Sequence, residues 1–135
     1  MTTEDYVSYP IALALKKAGF DEPCDHCYAK TDESKHEFVC MTVSRDYNKP
    51  RDGESPFLTP ICSAVPLWQA QKWLREKWGI HVYPTLESVN EVSYDCHIVC
   101  LRKEAFRVNK RYSSYESALS AGIAAALELI EKEKE

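Results

Sequence analysis

Glycine is scarce in this chain, four in 135 residues, and two of the four, Gly19 and Gly79, stand where helices are expected to stop. What remains cannot build a glycine-rich phosphate loop, a dinucleotide fingerprint or a nucleophile elbow. No stretch reads as a membrane-spanning helix. Excess positive charge is missing too. Seventeen Lys and Arg face 21 Asp and Glu, a net charge of −4, which argues against a strongly basic nucleic-acid binder. The opening Met1-Thr2-Thr3-Glu4-Asp5 has neither a basic nor an apolar leader segment, so the expected compartment is the cytoplasm, with all six cysteines reduced. A second Cys-x-x-Cys pair is also absent, although one such pair, Cys24-Asp-His-Cys27, is present.

What is there is ordinary globular material, 44% hydrophobic and 28% charged. At this length it predicts a single domain over 1–135 that folds without a metal or disulfide staple. Ser8-Tyr9-Pro10 is a helix start, with Ser8 available as cap and Pro10 tolerated in the first turn. Ile11, Leu15 and Ala18 then recur at helical spacing up to Gly19-Phe20, which predicts a helix near 9–18. Residues 21–35 are polar and acidic and read as a flexible loop, as do 44–56 with their Asn-Lys-Pro and Asp-Gly turn signals. Strands are predicted at 36–43, 57–62, 80–83 and 93–101, the second weakened by Pro60 and the third ended by Pro84. Leu67, Ala70, Leu74 and Trp78 mark a helix over 66–78. Ser113-Ser-Tyr-Glu116 has the form of a capping box ahead of a last helix over 115–132. The order α-β-β-α-β-β-α implies an α+β fold: a three- to four-stranded, mainly antiparallel sheet packed against three helices.

Three groups of residues could carry function. Cys24 and Cys27, with His26 between them, could grip a zinc ion, but a structural site needs four ligands. Cys96 and Cys100 lie about 13 Å apart along one strand and cannot readily complete it. Asp21, Glu22 and Asp25 would raise the thiol pKa values, and the pair does not open a helix, so a redox role is not expected. The second group is basic: Arg102, Lys103, Arg107, Lys110 and Arg111 are opposed locally by Glu104 alone, with Phe106 and Tyr112 interleaved. Such a stretch could meet phosphates while aromatics stack on bases. The third is Trp68, Trp73 and Trp78. At 100° per residue Trp73 stands about 140° round from Trp68, so at least one tryptophan should be exposed and available to anchor a protein partner. His81, His97 and the carboxylates form no reacting constellation, and neither an enzymatic activity nor a cofactor is expected.

The segment Pro66-Leu-Trp-Gln-Ala-Gln-Lys-Trp-Leu-Arg-Glu-Lys-Trp-Gly-Ile-His-Val82 resembles a Trp-Leu-Arg-Glu-x-x-Gly-Ile-x-(Ile/Val) element of small uncharacterised phage and prophage proteins, especially those of Bacteroidales gut bacteria. In that family a strand pair follows, then a helix opening Tyr-x-(Ser/Thr)-Tyr-Glu-x-Ala-Leu. Here that opening reads Tyr112-Ser-Ser-Tyr-Glu-Ser-Ala-Leu119. The helix ending Ala18-Gly19-Phe20 is similar to the family's first element. The resemblance implies a mobile-element origin and a bacterial cytoplasm, transfers no functional residue, and does not include the Cys24–Cys27 pair. The expected role is a non-enzymatic accessory protein acting by protein association. A nucleic-acid module using 102–111 is the alternative, and a zinc-stabilised domain the third reading.

Overall fold

Helix α1 (Tyr9–Ala18) begins at Ser8, whose backbone is extended but whose side chain makes no capping hydrogen bond, and ends at Gly19 with φ +98°. The Gly19 and Phe20 amides donate back to the Lys16 and Leu15 carbonyls, and Phe20 folds under the last turn, 1% exposed. A computed structural model describes residues 5–31, 33, 36–49 and 58–134 of the chain. Among them are three helices and two antiparallel sheets, an α+β fold. They gather into two compact units, Tyr6–Pro66 and Leu67 onward, the latter joined by Asp5, whose carbonyl accepts from the Leu67 amide at 2.9 Å.

In the first unit, β1 (Cys24–Lys30), β2 (Phe38–Arg45) and β3 (Thr59–Ser63) form a sheet ordered β2-β1-β3. The loop expected at 21–35 is thus corrected: its middle is the central strand. Its composition hid it, because Cys24, Cys27, Tyr28 and Ala29 supply the buried surface while shifts of register beside Cys24 and Tyr28 erase the simple alternation. The loop expected at 44–56 is also corrected in its described part. β2 runs into it, Tyr47 is 5% exposed, and Asn48 bridges the Phe20 carbonyl and the Ser63 amide at 2.8 and 3.1 Å. Pro50–Pro56 and Phe57 lie outside the described residues. Lys16 donates to the Ile61 carbonyl at 2.8 Å, and Tyr28 donates to the Val7 carbonyl at 2.6 Å, which fastens α1 and the segment before it to the sheet.

The second unit runs α2 (Leu67–Trp78), β4 (Ile80–Leu86), β5 (Tyr94–Cys100), β6 (Glu104–Arg107), α3 (Tyr115–Lys134), with sheet order β4-β5-β6. The full order is therefore α-β-β-β-α-β-β-β-α, two strands more than expected. β4 continues through Pro84, which an edge strand tolerates because one side of it needs no ladder hydrogen bonds. β6 is four residues long, too short for a periodic signal, and follows a turn held by Arg102 at φ +67°. Ser114 caps α3 by accepting from the Ser117 amide at 3.1 Å, so Ser117 stands at the position where a capping box would carry a carboxamide or carboxylate. α3 packs on β4 and β5, and α2 packs on β4 and α3. The core contains Ala70, Trp73, Leu74, Val82, Cys96, Ile98, Leu119, Ile123 and Ile130. α3 lies tight against the sheet at Gly122, where an added Cβ would run into the Cys96 Sγ and come within 2.6 Å of Val82 Cγ1.

Candidate interaction site

A single residue, Gly79 at φ +65°, links α2 to β4, so the chain reverses and β4 runs back along the helix. Gln71 confirms the reversal by donating to the Val82 carbonyl at 2.6 Å. Going back from Trp78 to Trp68 covers about 15 Å of helix, and Ile80 to Leu86 covers about 20 Å of strand. Trp68 and Leu86 therefore share one end of the unit. The start of α3 reaches the same end: Tyr94 and Tyr112 exchange two backbone hydrogen bonds, 2.9 and 2.8 Å, and the Tyr94 and Tyr115 rings meet edge to face at 6.0 Å.

That end is apolar and wet. Trp68 is 64% exposed, Leu86 59%, Val89 99%, Val92 65% and Tyr115 43%. The connection 87–93 that carries the two valines is closed at its neck by the Glu87 amide donating to the Ser93 carbonyl at 2.8 Å. Beside it Asp95, 5% exposed, accepts from the Cys96 amide at 2.7 Å and the Asn109 amide at 3.0 Å, tying the segment after β6 to β5. Ion pairs rim the end, Glu87 with Arg107 at 4.0 Å and Glu91 with Arg111 at 3.9 Å, and the His97 Nε2 stands 3.7 Å from the Glu87 carboxylate. Exposed pairs of this kind add little stability, about 0–1 kcal/mol each, and suit the polar rim of an interface.

The tryptophans divide as helical geometry requires. Trp73 is buried, 3% exposed, Trp68 faces outward, and Trp78 is half-buried with the Lys134 ammonium 5.9 Å above its ring. Of the three named from sequence, Trp68 alone belongs to the apolar end. Leu86, Val89, Val92 and Tyr115 escaped the sequence reading. Their signal was faint: two valines in a polar connection where no core position calls for them.

The basic residues divide: Arg107, Lys110 and Arg111 line one cleft, and Arg102 and Lys103 stand apart from it. Arg102 and Lys103 sit at the β5–β6 turn, Arg107 at the end of β6, and Lys110 and Arg111 beyond it, spread along a strand edge of about 20 Å. Lys103 is held by Glu133 at 2.6 Å, and that hydrogen bond raises its pKa. With Arg107 and Arg111 paired as above, Arg102 and Lys110 are the two of the five without an ion pair among the described residues. The cleft near Lys110 is lined by Glu87 and Asp95 as well as by cations, so it offers mixed charge rather than a phosphate seat.

Cys24 and Cys27 are buried in β1, while His26 is half-buried with its ring 6.0 Å from Tyr6. No three His, Cys, Asp or Glu side chains converge on a metal position among the described residues. Burial pushes the Cys24 thiol up to about 12 and the Cys62 thiol to about 11; the same cause takes Cys96 to about 12. These are protonated, inert groups at neutral pH. Of the six thiols, Cys40 is the one not buried. Titration of the native protein with an aromatic disulfide reagent should therefore show one fast thiol. Cys40→Ser should remove the fast phase, and several fast thiols in the parent would contradict the packing. No family model matches the chain, and neither does any curated protein or solved structure.

Proposed function

We propose that this chain is a non-enzymatic accessory protein that acts by protein association, and that its partner docks on the apolar end formed by Trp68, Leu86, Val89, Val92 and Tyr115. The exposure of Trp68 and Val89 at one end of one unit carries the reading, since monomeric surfaces rarely gather large apolar side chains. A tryptophan flanked by aliphatic groups and rimmed by ion pairs is the usual anatomy of an interface anchor. Cys100 lines a cleft with Glu104 and Glu133, and burial raises its pKa. On the resemblance to phage and prophage proteins, the setting we propose is a mobile element within a bacterial cytoplasm.

The test is affinity capture from the producing organism, then titration of the captured protein against the parent and Trp68→Asp/Val89→Asp. Loss of an anchor costs about 2 kcal/mol or more, so the variant should bind at least roughly thirtyfold more weakly. A captured protein that binds both forms equally, or the lack of any saturable partner, would overturn the reading.

A further inference from the structure

In the antiparallel pair β1 and β2, Cys27 stands directly opposite Cys40. The two lie in a regular stretch of the ladder. His26 to Ala29 oppose Met41 to Phe38 one for one, and the shift of register comes earlier, between Cys24 and His26. Directly opposed residues put their side chains on the same face. Their Cα atoms are about 4.5 or 5.5 Å apart, according to the type of pair, and a disulfide spans roughly 4.4–6.8 Å. β2 stands at one end of the strand order, so it can close on β1 without carrying a third strand with it. Of the six cysteines no other two are opposed in either sheet. Cys24 opposes Arg45, Cys62 opposes Tyr28, and Cys96 and Cys100 oppose Pro84 and Ile80 on β4.

We propose that Cys27 and Cys40 form a site of reversible oxidation, at which a low-molecular-weight disulfide such as oxidised glutathione links the two strands. Burial divides the roles. Cys40 is half-buried and packs on the cluster made by Cys27, Ala29 and Tyr47, while Cys27 has no exposed surface. A reagent in solution therefore meets Cys40 first. The Cys40 thiol gives its proton to water and its sulfur attacks the reagent. A Cys40–glutathione bond forms, the reagent's own S–S bond breaks, and a glutathione thiolate leaves. Cys27 Sγ then loses its proton and attacks Cys40 Sγ. The Cys27–Cys40 bond forms, the bond from Cys40 to glutathione breaks, and a second thiolate leaves. Two protein thiols are oxidised, and one reagent disulfide is reduced to two thiols, which take up the two protons. The link closes a short loop and clips β2 to the central strand of its sheet.

This site lies in the first unit and is independent of the docking reading, which concerns the second. The full chain is incubated with oxidised glutathione near neutral pH and its peptides are mapped by mass spectrometry. The parent should end lighter by two hydrogens, with the Cys27 and Cys40 peptides joined. Cys27→Ala should stop at the glutathione adduct of Cys40, and Cys40→Ser should stay reduced. With an aromatic disulfide reagent, the fast reaction of Cys40 should be followed by release of a second equivalent of aromatic thiol, at a rate independent of reagent concentration. Linked protein should exchange the amide hydrogens of β2 about tenfold or more slowly than reduced protein. A parent that does not react, stays as the Cys40 adduct or joins any other two cysteines overturns the proposal. So does a variant of either residue that still forms an internal link, or a link that leaves the exchange of β2 unchanged.

Discussion

Replacing Gly122 with alanine is expected to destabilise the second unit by about 2 kcal/mol, although alanine is the better helix former. Two effects oppose each other. On an exposed helix the exchange would gain about 0.8–1 kcal/mol from backbone entropy. Here the new methyl group meets Cys96 Sγ, on a residue with no exposed surface, and stands 2.6 Å from Val82 Cγ1 on the neighbouring strand. Overpacking of this kind costs about 1–3 kcal/mol and sometimes more. It takes the upper end here because both obstacles are short side chains of buried residues on paired strands, with little room to turn aside. All three tryptophans lie in α2, so their fluorescence reports the unfolding of this unit. The urea midpoint should fall with the slope unchanged. Cys96→Ala removes the nearer obstacle, so the double variant should be more stable than the two single losses predict, by about 1 kcal/mol. A Gly122→Ala protein as stable as the parent would show that α3 and the sheet are not in contact there.

Alkaline pH should unfold the protein by titrating groups that the folded state keeps neutral. Burial lifts Cys24 and Cys96 to about 12 and Cys62 to about 11, against an ordinary thiol value of 9.0. It also lifts Tyr28, whose hydroxyl donates to the Val7 carbonyl, from 10.0 to about 12. The folded state therefore holds protons that the unfolded chain releases above pH 9, and stability falls as pH rises. Below pH 9 the contribution of these groups is complete; between pH 9 and 12 it is lost. A pKa shift of one unit corresponds to about 1.4 kcal/mol, so ionisation of Cys24 and Cys62 in the unfolded chain removes several kcal/mol from the first unit, comparable with the whole stability of a small domain, about 5–15 kcal/mol. The fold should give way before the thiols ionise in place. Thiolate absorbance near 240 nm should then rise together with the loss of ellipticity. Cys62→Ala should cost stability at pH 7 and show a shallower decline between about pH 9 and 11. Thiolate absorbance that develops near pH 9 with ellipticity intact would contradict the burial of these groups.

The three helices were legible because their information is local. Apolar positions recur every three or four residues in 67–78 and 115–130, Gly19 and Gly79 supply the left-handed stops, and Ser114 supplies a cap. The α+β class and the antiparallel pairing follow from the same local signals. Strand β1 was not legible. Its buried surface comes from cysteine, alanine and tyrosine in acidic surroundings, and it is a strand because β2 and β3 flank it on both sides. The tight fit at Gly122 exists only with the sheet beneath it in place. Arg102 to Arg111 crowd together in sequence; in the fold Arg107, Lys110 and Arg111 line one cleft with Glu87 and Asp95, while Lys103 turns to Glu133. Trp68, Leu86, Val89, Val92 and Tyr115, far apart in the chain, come to one end because a one-residue link folds β4 back along α2 and Tyr94 brings in the start of α3. Periodicity and caps report what each segment buries against itself or its immediate neighbours. Which segments meet, and which apolar groups are left over when they have met, depends on contacts between distant residues that no local pattern encodes.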